Sequence, residues 1–142
     1  VDLCLTTFMS IVYRRMPRRV FYRMCLELNN QGCTPSGVPV KVQLLGQHAH
    51  WLAENAYRAI ELGSHGVDLN FGCPAKTVNK SKGGAILLRE PETIYNIVSV
   101  VRQAVPKEHT VSVKMRLGFD DTSLAIANAP GPSPHLPLPT KL

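Results

Sequence analysis

Hydrophobic and polar residues follow two different periods along this chain. Between residues 67 and 70, Val67 and Leu69 alternate with Asp68 and Asn70, and a period of two is typical of a strand whose faces meet different surroundings. In two other segments the apolar residues recur at helical spacing. They are Trp51, Leu52, Ala56, Ala59 and Ile60 in the first segment, and Ile94, Ile97, Val98 and Val101 in the second. The chain therefore combines strands and helices.

The predicted elements alternate along the chain. Gly63 is expected to end the first long helix, and Pro91 suits the first turn of the second. This alternation predicts an α/β fold with right-handed crossovers and a parallel sheet, but by itself it does not separate a barrel from an open sheet. Strands are predicted at 1–9, 20–24, 40–45, 67–70 and 111–117, a loop and short helix at 10–19, a loop at 29–39, and long helices at 49–62 and 91–104.

Length and the proline content of the tail limit the architecture. The 142 residues, 44% of them hydrophobic, suit one domain, whereas a complete (β/α)8 barrel takes about 250 residues. The chain begins without a Met, so we expect an internal fragment of a longer protein. Half of the residues from 130 to 139 are proline, which excludes a helix or central strand there and predicts a disordered tail at 130–142.

Charge and cysteine usage narrow the class of protein. Sixteen Lys and Arg against ten Asp and Glu give a net charge of +6, which suits a polyanionic partner without identifying one. The four cysteines form no C-x-x-C pair and fit no common zinc spacing, so we expect reduced thiols and no metal. No leader-like segment and no apolar run of about 18 residues is present, so we expect a cytoplasmic protein without a membrane span.

The tripeptide Gly72-Cys73-Pro74 holds a thiol on a tight turn where a predicted strand ends. Gly72 permits backbone conformations closed to other residues, and Pro74 restricts the exit from the turn. Catalytic groups of parallel α/β proteins often lie at strand ends of this kind. Cys73 is therefore a candidate catalytic residue, the alternative being a small apolar residue in a turn.

Three motifs carry a resemblance to a known family. They are the segment 67–74 (VDLNFGCP) followed by Lys76, Val78 and 83–85 (GGA), the strand 40–46 (VKVQLLG), and the strand 111–118 (VSVKMRLG). Together they resemble the tRNA-dihydrouridine synthases, and most closely the bacterial class C branch. The resemblance implies a partial (β/α)8 TIM barrel, about strands 2 to 5, in an FMN-binding catalytic domain at 1–129 that lacks the first strand and the C-terminal half.

The resemblance also implies roles for particular residues. Cys73 matches the general acid that protonates C5 of the uracil ring, and a thiol near its ordinary pKa keeps its proton at neutral pH. Lys114, on the same face as Ser112 and Arg116, matches the lysine at the anionic N1/O2 edge of reduced flavin, where a buried cation would find its counter-charge. Gln43 and Asn70 are expected to bind flavin as well, Asn70 with the substrate uracil as its alternative partner. Arg116, Lys76, Lys80 and Lys82 are expected to contact tRNA.

The implied cofactor is FMN, reduced by NADPH or NADH, and the implied partner is tRNA, with a monomeric complete enzyme. Two alternatives remain at this point. One is an FMN barrel that reduces a free pyrimidine, such as a dihydroorotate or dihydropyrimidine dehydrogenase. The other is an inactive fragment with at most non-specific RNA binding. The combined match around 76–85 and 114–116 favours the tRNA enzymes over the first, and a flavin spectrum would separate the second.

Overall fold

A single parallel sheet forms the centre of the molecule. The computed structural model describes residues 3–72, 90–115 and 140–141. In these residues the strands lie in the order β1-β2-β3-β4-β5, and every neighbouring pair is parallel. The strands are β1 (Cys4–Ser10), β2 (Val40–Leu45), β3 (Gly66–Asn70), β4 (Thr110–Lys114) and β5 (Thr140–Lys141).

A helix lies between each two successive strands from β1 to β4. The predictions of long helices at 49–62 and 91–104 are confirmed within one residue. Gly63 adopts a φ of +114° just after the first of them, as expected for a glycine that ends a helix. The helices are α1 (Arg18–Met24), α2 (Ala49–Glu61) and α3 (Pro91–Ala104), and a 3-10 turn follows α1 at Leu26–Asn30.

The strand order distinguishes between the two kinds of parallel sheet that the sequence left open. A doubly wound open sheet reverses its order at a switch point, whereas the strands of a barrel follow one another in chain order. The order here is sequential throughout, and α2 and α3 pack against each other on the same side of the sheet. The α/β prediction is confirmed, and the arrangement is that of a partial (β/α)8 barrel.

One predicted strand is wrong. The apolar run at 20–24 belongs to α1, which Pro17 precedes in an extended conformation with φ −62° and ψ 151°. The run misleads because it is short and nearly continuous, so its period is ambiguous. The buried side chains decide the outcome: Phe21 lies in the core on α1, and Cys25, which directly follows the helix and donates its backbone N–H to the Phe21 carbonyl, is buried there as well.

The Pro-rich tail contributes a short pairing at the edge of the sheet. Thr140 and Lys141 form β5, which pairs parallel with Val113 and Lys114 of β4. The prediction of a disordered tail at 130–142 stays a prediction for the rest of that segment. Residues 130–139 lie outside the described residues.

The two faces of the central strands differ in chemistry. Val42, Leu44, Val67 and Leu69 belong to the buried apolar cluster that α2 and α3 complete. Because side chains alternate along a strand, the residues between these point to the opposite face, and there they are polar. Every residue of β2 and β3 is buried, so this polar face is buried too.

Two turns at the amino ends of the strands contact each other through glycine. Gly32 has a φ of +72°, and a Cβ atom built on it would overlap the carbonyl oxygen of Gly63. The Gly32 carbonyl accepts a hydrogen bond from the backbone of Val40, the first residue of β2, at 2.8 Å. The close contact therefore fixes where β2 begins relative to the turn before β3.

We predict that Gly32→Ala destabilises the protein far more than Gly37→Ala. Both glycines have positive φ, so alanine at either costs about 1–2 kcal/mol in the left-handed region. Only at Gly32 does the new methyl group also meet a backbone atom; around Gly37 nothing lies within 4 Å. Urea unfolding of the two variants measures the difference, and equal midpoints would show that the Gly32–Gly63 contact does not constrain the fold.

Candidate functional site

The candidate site lies at the carboxyl ends of β2, β3 and β4, where the parallel strands meet at one edge. Strand register aligns the residues involved: Gln43 lies opposite Asp68, Asp68 opposite Ser112, and Asn70 opposite Lys114. All but Lys114 are buried, with exposed fractions of 5% for Gln43, 2% for Asp68, 3% for Asn70 and 1% for Ser112.

Gln43 lies between two side chains of β3. Its amide nitrogen Nε2 donates to Oδ2 of Asp68 at 2.8 Å, and its oxygen Oε1 accepts from Nδ2 of Asn70 at 3.1 Å. Its backbone N–H donates to the Thr6 hydroxyl at 3.0 Å, beside an irregularity in the β1–β2 pairing. These bonds hold the amide in one orientation.

Asn70 connects the strands to the turn that follows β3. Its Oδ1 accepts the backbone N–H of Gly72 at 2.9 Å, while the N–H of the intervening Phe71 donates to the Lys114 carbonyl at 2.8 Å. The backbone that leads to Cys73 is thus held by one side chain and one neighbouring strand. The structure therefore brings Gln43 and Asn70 into direct contact.

Lys114 departs from one expectation. The sequence predicted a lysine buried in an apolar strand, but its side chain is exposed at the carboxyl end of β4. The burial prediction was wrong, and β4 ends at this residue. The register still places Lys114 beside Asn70, on the polar face.

The buried lysine of this sheet is Lys41, which the sequence analysis did not single out. Its Nζ donates to the Ser112 hydroxyl at 2.8 Å, and that hydroxyl donates to Oδ1 of Asp68 at 2.6 Å. Lys41 reaches from β2 to β4 across Gly66, where a Cβ would lie 2.9 Å from its Cδ. Polar residues at positions 41 and 43 of an otherwise apolar strand were the signal in the sequence.

Several predicted residues lie outside the part of the chain that the structure describes. They are Cys73, Arg116, Lys76, Lys80 and Lys82. The backbone of Gly72, the residue before Cys73, is the nearest described point to the predicted acid. Their roles stay predictions.

The described cysteines lie elsewhere. Cys25 is in the core, and burial, together with its hydrogen bond to Glu27, raises its pKa to about 11. Cys33 contacts Nε2 of His65 at 3.5 Å, in the loop before β2. Within residues 3–72, 90–115 and 140–141, no group of three or more His, Cys, Asp or Glu could hold a metal ion, and no helix has the length and apolarity to cross a membrane.

The arrangement offers a defined set of hydrogen-bonding groups. An amide carries two N–H donors and an oxygen with two lone pairs. Among the described residues, Gln43 and Asn70 each use one donor and one lone pair, which leaves each of them one donor and one lone pair. Alternating donors and acceptors at a rigid edge, with the cation of Lys114 alongside, fit the pyrimidine edge of a flavin or a uracil ring.

Comparison with known proteins shows the family to which the chain belongs. The family model described as dihydrouridine synthase (Dus) matches residues 1–129. The chain is 63% identical over 124 residues to a tRNA-dihydrouridine(16) synthase of Haemophilus influenzae, covering 87% of this chain and 40% of that protein. It is 59% identical over 128 residues to a protein of the same name from Shewanella oneidensis, covering 90% and 41%.

A relative of that name from Salmonella typhimurium is 55% identical over 130 residues, covering 90% of this chain and 42% of that protein. The chain therefore spans about 40% of the length of the curated relatives it matches. The family model covers nearly all of the strands and helices described above, including both ends of the buried polar face. The resemblance noted in the sequence is confirmed, and the chain belongs to the dihydrouridine synthase family.

Proposed function

We propose that this chain forms part of the active site of a tRNA-dihydrouridine synthase, which reduces a uridine of tRNA to 5,6-dihydrouridine with FMN and a reduced nicotinamide. The observation that carries the proposal is the pair of buried amides, Gln43 and Asn70, joined at 3.1 Å beside the backbone of Gly72. Because Asn70 lies three residues before Cys73 in a member of the family, the pair links the binding edge to the predicted acid.

Different residues bind the flavin ring and the uracil ring. Gln43 presents its remaining donor and acceptor to the flavin pyrimidine edge, and Lys114 lies near the charge around N1 and O2. Asn70, the next amide along the edge, serves flavin or the substrate uracil. The exposure of Lys114 suits this role, because its ammonium group is available to a ligand at the open end of the strands.

Cys73 supplies the proton. When bound, reduced FMN supplies a hydride to C6 of the uracil. The Cys73 thiol gives its proton to C5, so that the two electrons of the hydride and one proton saturate the C5–C6 bond. The thiolate is reprotonated from solvent before the next turnover, and the electrons for the flavin would be supplied by NADPH or NADH.

The substrate is assigned to tRNA rather than to a free pyrimidine. The relatives from Haemophilus influenzae and Shewanella oneidensis are named as tRNA-dihydrouridine(16) synthases, which supports uridine 16 as the target. The net charge of +6 is consistent with a polyanion. We assign phosphate contacts to Lys76, Lys80 and Lys82, and Arg116 to the RNA backbone or the target base. A tRNA substrate is consistent with an enzyme of the cytoplasm.

A chimera provides a complete protein for testing these roles. The chimera is the Haemophilus influenzae relative in which the segment that aligns with this chain over 124 residues is replaced by the corresponding residues of this chain. The rest of that relative is kept. The identity of 63% across the exchanged segment favours a folded product. Flavin absorbance of the purified chimera, together with dihydrouridine formed in tRNA, establishes its starting activity. A chimera that is folded and binds flavin but forms no dihydrouridine would contradict the proposed function.

Replacing Cys73 with Ala in the chimera should separate hydride transfer from proton transfer. FMN binding and flavin reduction by NADPH should persist, and dihydrouridine formation should fall on the order of a hundredfold or more, because only the proton donor is lost. Cys33→Ala removes a thiol in the loop before β2 and is the control. A Cys73→Ala chimera that reduces tRNA at the parental rate would rule out the acid assignment.

Lys114→Met should weaken FMN binding or slow flavin reduction, since the anionic edge of the reduced flavin loses its counter-charge. Lys107→Met makes the same chemical change at an exposed lysine before β4, at the opposite end of the strand, and should leave both properties unchanged. Flavin fluorescence titration and stopped-flow reduction measure the two effects. Identical behaviour of both variants would exclude Lys114 from the flavin site.

A further inference from the structure

We propose that Asp68 is a positioning residue that fixes the hydrogen-bond polarity of the Gln43 and Asn70 amides and, through them, the backbone at Gly72. Asp68 contacts neither Asn70 nor Gly72 through any side-chain hydrogen bond described above; it acts through Gln43. Its consequence for flavin binding rests on the proposed function, whereas its effect on Gly72 does not.

The argument begins with the direction of each hydrogen bond. An ammonium group only donates and a carboxylate only accepts, whereas hydroxyl and amide groups do both. Lys41 therefore donates to Ser112, and the hydroxyl proton of Ser112 goes to Asp68. With one oxygen occupied by Ser112, the other oxygen of Asp68 accepts from Gln43.

The same reasoning determines the orientation of the Gln43 and Asn70 side-chain amides. Since Nε2 of Gln43 faces the carboxylate, its oxygen must face Asn70, and it can only accept there. Asn70 consequently turns its nitrogen to Gln43 and its oxygen to the N–H of Gly72. An amide by itself has two nearly equivalent orientations. The charges of Lys41 and Asp68 determine which orientation each amide in this series of hydrogen bonds adopts.

Burial makes this choice firm. All five side chains from Lys41 to Asn70 along this chain of bonds are at most 5% exposed, so an amide in the reversed orientation would find little water to replace its lost partner. A buried polar group without a partner is costly. Gly66 is part of the arrangement, because its missing side chain leaves the path by which Lys41 crosses β3 to reach Ser112.

The test replaces Asp68 with Asn, which has the same shape but can donate. The Ser112 hydroxyl still needs an acceptor, so the new side chain at position 68 turns its oxygen to Ser112 and its nitrogen to Gln43. The Gln43 amide then reverses, so that its oxygen accepts from this nitrogen. Asn70 then turns its own nitrogen toward Gly72, whose N–H loses its acceptor. Hydrogen exchange of the Gly72 amide in the chimera, followed by NMR with ¹⁵N-Gly and ¹⁵N-Phe labels, should accelerate about tenfold or more.

The neighbouring Phe71 amide is an internal control. It donates to the Lys114 carbonyl, which the amide reversal does not touch, so its exchange should stay slow. Ser64→Ala removes a buried hydroxyl at the other end of β3, where it bonds the backbone of Val42 and Gly66, and controls for general loss of stability. If Asp68→Asn accelerates Phe71 and Gly72 equally, as simple destabilisation would, the proposal is overturned.

A second variant tests the polarity directly. In Asp68→Asn combined with Gln43→Glu, the new carboxylate at position 43 accepts both from the new amide at position 68 and from Asn70, so Asn70 again offers its oxygen to Gly72. Slow exchange at Gly72 should return in the double variant, although it carries one more substitution. A double variant whose Gly72 exchanges as fast as in Asp68→Asn would overturn the proposal.

The link to the cofactor is measured separately. Asp68→Asn should lower the affinity of the chimera for FMN about tenfold or more, because the reversed Gln43 amide presents its groups in the wrong order. The double variant should not recover this affinity, since its carboxylate at position 43 has no donor for the flavin edge. Recovered Gly72 protection with weak FMN binding supports the proposal, and unchanged FMN affinity in Asp68→Asn would overturn its flavin part.

Discussion

The structure depends on the need to satisfy polar groups that are buried on one face of a parallel sheet. Strands of such sheets are usually apolar on both faces because helices or a barrel interior cover them. Here β2, β3 and β4 carry Lys41, Gln43, Asp68, Asn70 and Ser112 on one face. An unpaired buried charge or amide would cost several kcal/mol, on the order of the stability of a small domain. The hydrogen bonds among them therefore determine where each side chain points.

Those bonds form only in one register. Gln43 opposite Asp68, and Asp68 opposite Ser112, are pairs set by the backbone ladders of β2–β3 and β3–β4. A slip of one residue would bring the polar residues to the helix-facing side and the valines and leucines to the site. The apolar contacts with α2 and α3, and the glycine contact between residues 32 and 63, hold the register that the polar bonds require.

The two ends of the strands serve different purposes. At the amino ends, Ser64 and the Gly32–Gly63 contact hold turns against the backbone, and the buried guanidinium of Arg102 donates to the carbonyls of Val105, Pro106 and His109 before β4. Burial lowers the pKa of Arg102, whereas the hydrogen bonds to these three carbonyls stabilise the charged guanidinium group. At the carboxyl ends, the amides of Gln43 and Asn70 keep donors and acceptors that no described residue uses, and Lys114 lies beside Asn70.

The sequence by itself determined the strands at residues 40 and 67, both long helices and the family, because periodicity and short motifs are local properties of the chain. It also singled out Gln43 and Asn70. It misassigned the run at 20–24, since only packing of Phe21 and Cys25 in the core separates a helix from a strand there. It expected Lys114 to be buried and overlooked Lys41, because depth in a sheet depends on where strands end and which neighbours cover them. Tertiary structure alone joined Lys41, Ser112 and Asp68, residues up to 71 positions apart, into one chain of hydrogen bonds.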